Sequence, residues 1–320
     1  MKRTLKMMSV AGCLTLAAPF ATADTFVTMV SGPAGGSWYP LGAKIMQVMD
    51  AQLDGVSTKL EPGGGVGNIK DVSQGNAQIG WSYGHTAYNG YIGRGKFDKP
   101  FKNVSFFATL YPGIVQIAVP RTSSIKSISD FDGKNISPGK AGWTGTAFAE
   151  TVLAAYGLSF DKIKKSGGVV HHVDYSSSVA LMKDGHIDVF LGVTSMPQAS
   201  FIDLNFKPGI RFIGIDPDKM TGIIKNNPGV IATKIPTSAY KGMTADVPTL
   251  ATATVMVVNK DLPADLVYKM CKVFWKEHAT FASVKKVWNK VKKEDALAAA
   301  AIPVHPGAER CYKEMGVKKM

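Results

Sequence analysis

Long apolar runs are scarce in this chain. Beyond the amino terminus, no stretch reaches the roughly 18 apolar residues of a bilayer-spanning helix, so the body of the chain reads as soluble. Cysteine is scarce too, with three residues in 320, and no Cys-x-x-Cys exists to hold a metal or run a redox couple. Neither His-Glu-x-x-His nor Gly-x-Ser-x-Gly occurs, which removes the commonest local signatures of metalloproteases and α/β-hydrolases. No Gly-Lys is followed by Ser or Thr, so there is no phosphate-binding P-loop. The Gly-x-Gly-x-x-Gly dinucleotide fingerprint is also missing after the strands. No cofactor and no metal site is expected, and the chain reads as a binding protein, not an enzyme.

What is present begins at the amino terminus. Lys2, Arg3 and Lys6 precede an apolar run from Met7 to Phe20, and Ala21-Thr22-Ala23 stands before Asp24. This is the order of a secretory signal peptide, spanning residues 1–23, with cleavage after Ala23 and a periplasmic destination. An uncleaved anchor is one alternative. A lipoprotein is another, because Val10-Ala11-Gly12-Cys13 resembles a lipobox. Removing the signal lowers the net charge from +13 to +10, since it carries three basic residues and no acidic one. The remaining lysines are spread along the chain and densest around Lys285-Lys286, Lys290–Lys293 and Lys318-Lys319. They read as solvated helix faces and not as a nucleic-acid footprint. Two cysteines survive processing, Cys271 and Cys311. In an oxidising compartment they are either a disulfide or two buried thiols.

Short apolar runs alternate with helix-like segments, the pattern of an α/β fold. Strands are expected at Thr25–Val30, Val56–Leu60, Ala77–Tyr83, Val104–Leu110, Ile114–Val119, Asn135–Ser137, Val169–Val173, Ile187–Val193 and Ala251–Val258. Helices are expected at Trp38–Leu53, Gly67–Gln74, Thr86–Tyr91, Thr144–Tyr156, Ser176–Lys183 and Leu262–His278, the last with Leu266, Met270, Val273 and Phe274 on one stripe. The middle block repeats the strand–turn–helix logic of the first, which suggests two lobes with a cleft between them.

Three strand-to-helix turns are rich in glycine. They are Ser31–Gly42, Glu61–Asn68 and Ser137–Thr146. In open α/β sheets the ligand crevice lies at the carboxyl ends of the strands, where all three turns sit. Backbone N–H groups opening the following helices suit a carboxylate, and Ser37 is a candidate N-cap. Lys140 is the only basic residue inside these turns, either a ligand contact or a solvated rim lysine. His85 follows a strand end and is either a donor to a ligand or a hydrogen-bonded structural histidine. His171 and His172 are adjacent on an expected strand, so they point to opposite faces, poor geometry for a shared metal.

At these motifs the chain resembles the TAXI family, the solute receptors of TRAP transporters. The resemblance runs through Gly35–Gly42, Glu61–Gly64, Gly142-x-x-Gly145-Thr146, Ala180–Asp188, Asp246–Thr249 and Ile302–Arg310, nearly the whole mature chain. It implies a two-lobed periplasmic binding protein fold (type II-like), each lobe a mixed sheet flanked by helices. Residues 24–112 and 250–320 would form the first lobe and 113–249 the second. It implies delivery of a small organic solute, commonly a carboxylate such as glutamate or 2-oxoglutarate, to an ion-driven TRAP permease. By motif position its ligand loops map onto Ser37, Trp38, Tyr39, Gly65, Asn68, Ser82, Tyr83 and His85 in the first lobe. In the second they map onto Thr144, Gly145, Thr146 and the strand end Gly192-Val193-Thr194-Ser195, with Lys140 and Trp143 beside them. Many relatives carry Tyr-Tyr where this chain has Trp38-Tyr39, and a small residue where it has Trp143. These departures weigh against a simple glutamate specificity. The alternative is an ABC-type or sensor-associated binding protein of the same fold.

Overall fold

The computed structural model describes residues 25–33 and 36–318. The expected signal peptide, its cleavage site and the lipobox lie outside the described residues.

The first βα unit follows the hydrophobic pattern closely. Strand β1 (Thr25–Val30) leads into helix α1 (Trp38–Gln52), whose buried face carries Trp38, Leu41, Ile45, Met46 and Met49. Trp38, Leu41, Ile45 and Met49 recur every three to four residues, with Met46 beside them, and therefore share one side of the helix. Strand β2 (Val56–Glu61) and helix α2 (Gly65–Gln74) follow, then β3 (Ile79–Tyr83) and α3 (Gly84–Ile92). β1 pairs in parallel with both β2 and β3.

β4 (Val104–Pro120) is one 17-residue strand where the sequence suggests two, because Tyr111-Pro112-Gly113 shifts the register without ending the ladder. The second unit holds β5 (Ile136–Ser137), α4 (Thr144–Ala155), α5 (Phe160–Lys165), α6 (Tyr175–Lys183) and β6 (Val189–Thr194). It continues with α7 (Ala199–Phe206), β7 (Ile210–Phe212), α8 (Pro217–Asn226) and β8 (Val230–Ile235). β9 (Val247–Asn259) then returns the chain to the first unit, and α9 (Ala264–Lys276), α10 (His278–Val284) and α11 (Pro306–Glu314) close it.

The sheet order is β2-β1-β3-β9-β4-β6-β5, with β8 on β9 and β7 on β4. β9 pairs with β3 through Thr254–Val258 and with β8 through Val247–Thr252. β4 pairs with β9 along its first half and with β6 through Ile114–Ala118. Two antiparallel strands therefore run side by side through both units, and each unit adds its own parallel strands. Where the two units meet, β4 and β9 pair through Pro112, Gly113 and Ile114 with Ala253, Thr252 and Ala251.

Two expectations are corrected. Val169–Val173 is not a strand, since only Val170 forms a bridge, to Ile136. His171 and His172 therefore lie on irregular backbone. On α9 the buried stripe is Val267, Met270, Cys271, Phe274 and Trp275, while Leu266 and Val273 are half-buried. Cys271 faces inward because it is bonded to Cys311 of α11, with a Cα–Cα distance of 6.3 Å. That bond ties α9 to the terminal helix.

Candidate functional site

The carboxyl ends of β1, β2, β3, β5 and β6 converge between the two units. There a small cavity of about 40 Å³ is lined from both sides. The first unit contributes Pro33, Gly36, Ser37, Trp38, Gly64, Gly65 and Tyr83. The second contributes Trp143, Thr144, Gly145, Tyr175, Val193 and Thr194. The volume holds about three waters.

Several contacts hold the two sides together. The Tyr83 hydroxyl donates to the Val193 carbonyl at 2.8 Å, and the Tyr175 hydroxyl donates to the same oxygen at 3.4 Å. The N–H of Gly67 donates to the carbonyl of Gly142 at 3.2 Å, and the hydroxyls of Thr86 and Thr144 meet at 3.4 Å. The indole of Trp143 sits where a Cβ on Gly64 would be, and the Thr144 hydroxyl sits where one on Gly65 would be. Glycine at those two positions is what lets the lobes approach.

The cavity's chemistry is aromatic and neutral. Trp38 and Tyr83 pack at 4.9 Å with a 50° tilt, and Trp143 meets Tyr175 edge-on at 5.4 Å. No Asp, Glu, Lys, Arg or His is among its lining residues. Burial holds the Tyr83 phenol well above its ordinary range and pushes Tyr175 up to about 12, so both are neutral at physiological pH. The first turns of α2 and α4 open onto this space. Backbone N–H groups of a first turn have no partner within their own helix.

The motif-mapped residues divide by what their polar groups already do. Ser37, Trp38, Gly65, Tyr83, Trp143, Thr144, Gly145 and Thr194 line the cavity. Asn68 does not, because its amide is spent inside the lobe. Its nitrogen donates to the carbonyls of Val30, Ser31 and Trp81, and its oxygen accepts from the N–H of Gly64. The Ser82 hydroxyl donates to the Gly65 carbonyl, and the Thr146 hydroxyl turns back to the carbonyls of Gly139 and Lys140. These three residues shape the glycine turns. Tyr39 is half-buried on α1, away from the lining.

His85 is buried, with its ring nitrogens at 2.9 Å from the Thr252 hydroxyl and 3.2 Å from that of Thr86. Desolvation lowers its pKa to about 4. It borders a separate groove of about 740 Å³ between α3, α4 and α8. Lys140 is exposed and faces Asp174 at 3.5 Å. Ser195 lines a third cleft of about 140 Å³ beside Lys285 and Lys286. Ser37 begins α1 but does not cap it with its side chain. Its hydroxyl oxygen instead accepts from the Tyr111 hydroxyl at 3.0 Å.

Sequence reasoning missed Tyr175. The signal that finds it is an aromatic residue at the first position of a helix that follows a strand-like run, the placement Trp38 also has.

Solved structures share this architecture. PhnD1 from Prochlorococcus marinus, determined with methylphosphonate, is 11% identical with a TM-score of 0.53, covering 82% of this chain and 89% of that one. The alkanesulfonate-binding protein SsuA from Xanthomonas axonopodis, bound to MOPS, is 11% identical with a TM-score of 0.48, covering 92% and 85%. The periplasmic sulfonate-binding protein of a sulfonate ABC transporter from Methylobacillus flagellatus is 15% identical with a TM-score of 0.47, covering 84% and 73%. The fold is that of the two-lobed periplasmic binding proteins. The model of the NMT1-like family matches residues 29–316, which takes in both lobes, the crossing strands and every turn around the cavity. The protein is therefore a member of the NMT1-like family.

Proposed function

We propose that this protein is a periplasmic solute-binding receptor that encloses a small organic solute between its lobes and hands it to a membrane permease. One observation carries the reading: five strand ends from two lobes close on one small cavity, and glycines at the contact allow that closure. Closure pivots on Leu110–Val115 and Thr249–Thr254, where β4 and β9 cross between lobes 24–112/250–320 and 113–249. Apart from that of Gly67, which donates to Gly142, the N–H groups opening α2 and α4 favour a solute bearing a carboxylate.

The membrane partner has two readings. The sequence motifs imply an ion-driven TRAP permease. An ABC permease is the alternative that a binding protein of the same fold could serve. Uptake by reconstituted vesicles separates them: transport driven by an ion gradient without ATP supports the first, and an ATP requirement supports the second.

The receptor reading is tested by thermal-shift screening of the mature protein against dicarboxylates, amino acids, 2-oxo acids, betaines and sugars. A cognate solute stabilises by RT ln(1 + [L]/Kd), about 2.7 kcal/mol at a hundredfold excess over Kd. A neutral sugar that raises the melting point while every carboxylate fails would overturn the solute class. Lys140→Ala should leave affinity within twofold, since the lysine lies outside the cavity.

A further inference from the structure

The walls of the cavity say more about the solute than its position does. Four aromatic rings line it, Trp38 and Tyr83 from one lobe and Trp143 and Tyr175 from the other. Within each pair the rings stand at steep angles, 50° and 86°. Steeply inclined faces make a concave corner. A flat aromatic solute needs parallel walls, whereas a rounded group fits a corner.

The polar groups add a second constraint. An ordinary ammonium carries N–H donors that need acceptors, and no carboxylate lines the cavity. The lining carbonyls of Val193, Gly65 and Gly64 are already engaged, the first by both tyrosines, the second by the Ser82 hydroxyl and the third by the Asn68 N–H. A cation without N–H groups needs no acceptor and is attracted by the electron-rich faces of indole and phenol rings. The helix N-termini act in the opposite sense. The first turns of α2 and α4 bring partial positive charge to the same space, which disfavours a bare cation and favours an attached anion. Two further groups await a partner. Thr194 is 4% exposed and Trp38 is 7% exposed, both line the cavity, and neither the Thr194 hydroxyl nor the Trp38 indole N–H has a hydrogen bond among the described residues.

We infer that the solute is a small zwitterion of the betaine class, a quaternary methylated ammonium joined to a carboxylate. The four rings would cage the methylated cation. The N–H groups opening α2 and α4, with Thr194 and the Trp38 indole, would hold the carboxylate. The inference rests on the receptor reading and narrows it to one ligand chemistry.

The experiment compares two shapes that differ in charge alone. Glycine betaine and tert-butylacetate carry the same carboxylate and nearly the same volume, but only the first has a cationic head. Calorimetric titration of the mature protein should show glycine betaine binding at least tenfold tighter than tert-butylacetate. Trp143→Leu keeps an apolar side chain and removes one ring. It should weaken betaine at least tenfold while the melting point of the unliganded protein stays put. Equal affinity for the two compounds overturns the inference, as does failure of betaine to bind. Binding of glutamate or 2-oxoglutarate without betaine overturns it and leaves the receptor reading standing. No binding by any solute in the screen overturns both.

Discussion

Trp143 of the second lobe rests against the backbone of Gly64 in the first, in the space that a methyl group on Gly64 would fill. Gly64 has an extended backbone with φ of −162°, which any residue adopts. Glycine is needed there for room and not for conformation.

Gly64→Ala therefore tests closure apart from folding. The melting point of the unliganded protein should stay nearly unchanged. The closed state should lose about 1–3 kcal/mol from overpacking, so solute affinity should fall about tenfold or more. Small-angle scattering should show a larger radius of gyration. Unchanged affinity would mean the lobes do not meet at this point when solute is bound.

The Tyr83 hydroxyl bridges the lobes to the Val193 carbonyl. Tyr83→Phe keeps the ring and deletes the bridge, while Tyr175 still satisfies the carbonyl. The expected loss is about 1 kcal/mol of closure, a fivefold drop in affinity. Urea unfolding of the unliganded protein should move much less.

Asn68 offers the opposite split. Its amide satisfies four backbone groups inside the first lobe. Asn68→Ala strands them in a buried site and should cost about 3 kcal/mol or more of stability by urea titration. A variant of wild-type stability would show that water takes over the amide's role.

Acid should destabilise the protein through His85. Its folded pKa is lowered from the ordinary histidine value of 6.5 to about 4, because burial disfavours the charged ring. Between those values the unfolded chain binds the extra proton, so stability rises with pH across the window and is fully present above about 6.5. The penalty reaches about 3 kcal/mol as pH falls through 4. His305, also depressed by burial, adds in the same direction. His85→Gln should flatten the profile between pH 4 and 6.5. An unaltered profile would place the acid sensitivity elsewhere.

Reduction of Cys271–Cys311 should lower stability by about 4 kcal/mol, the loop-closure value for a sequence separation of 40. Denaturation with and without a thiol reductant measures it. An effect below about 1 kcal/mol would show that packing of α9 on α11 already holds the segment.

Much of the fold was legible along the chain because its signals are short-range. The apolar spacing of α1 and the glycine turns before α2 and α4 are local, and they placed strand ends beside helix starts. Continuous β4 was not legible. Tyr111-Pro112-Gly113 looks like a break, and only its pairing with β9 carries the ladder across. The site divided in the same way. Ser37, Trp38, Thr144 and Thr194 could be found as residues at strand ends and helix starts. Whether a polar side chain there is free could not, because that depends on partners far away in sequence. Asn68 is consumed by Val30 and Trp81, Ser82 by Gly65, and Thr146 by its own turn, so none is left to face a solute. Tyr175 joins the cavity only when the second lobe folds over the first.

The sequence by itself thus determined that the chain is α/β, built of two glycine-turned units, since each follows from neighbouring residues. Only the tertiary structure decided that the cavity is aromatic and uncharged, because that required the long-range pairing that brings four rings together and leaves Lys140 and His85 outside.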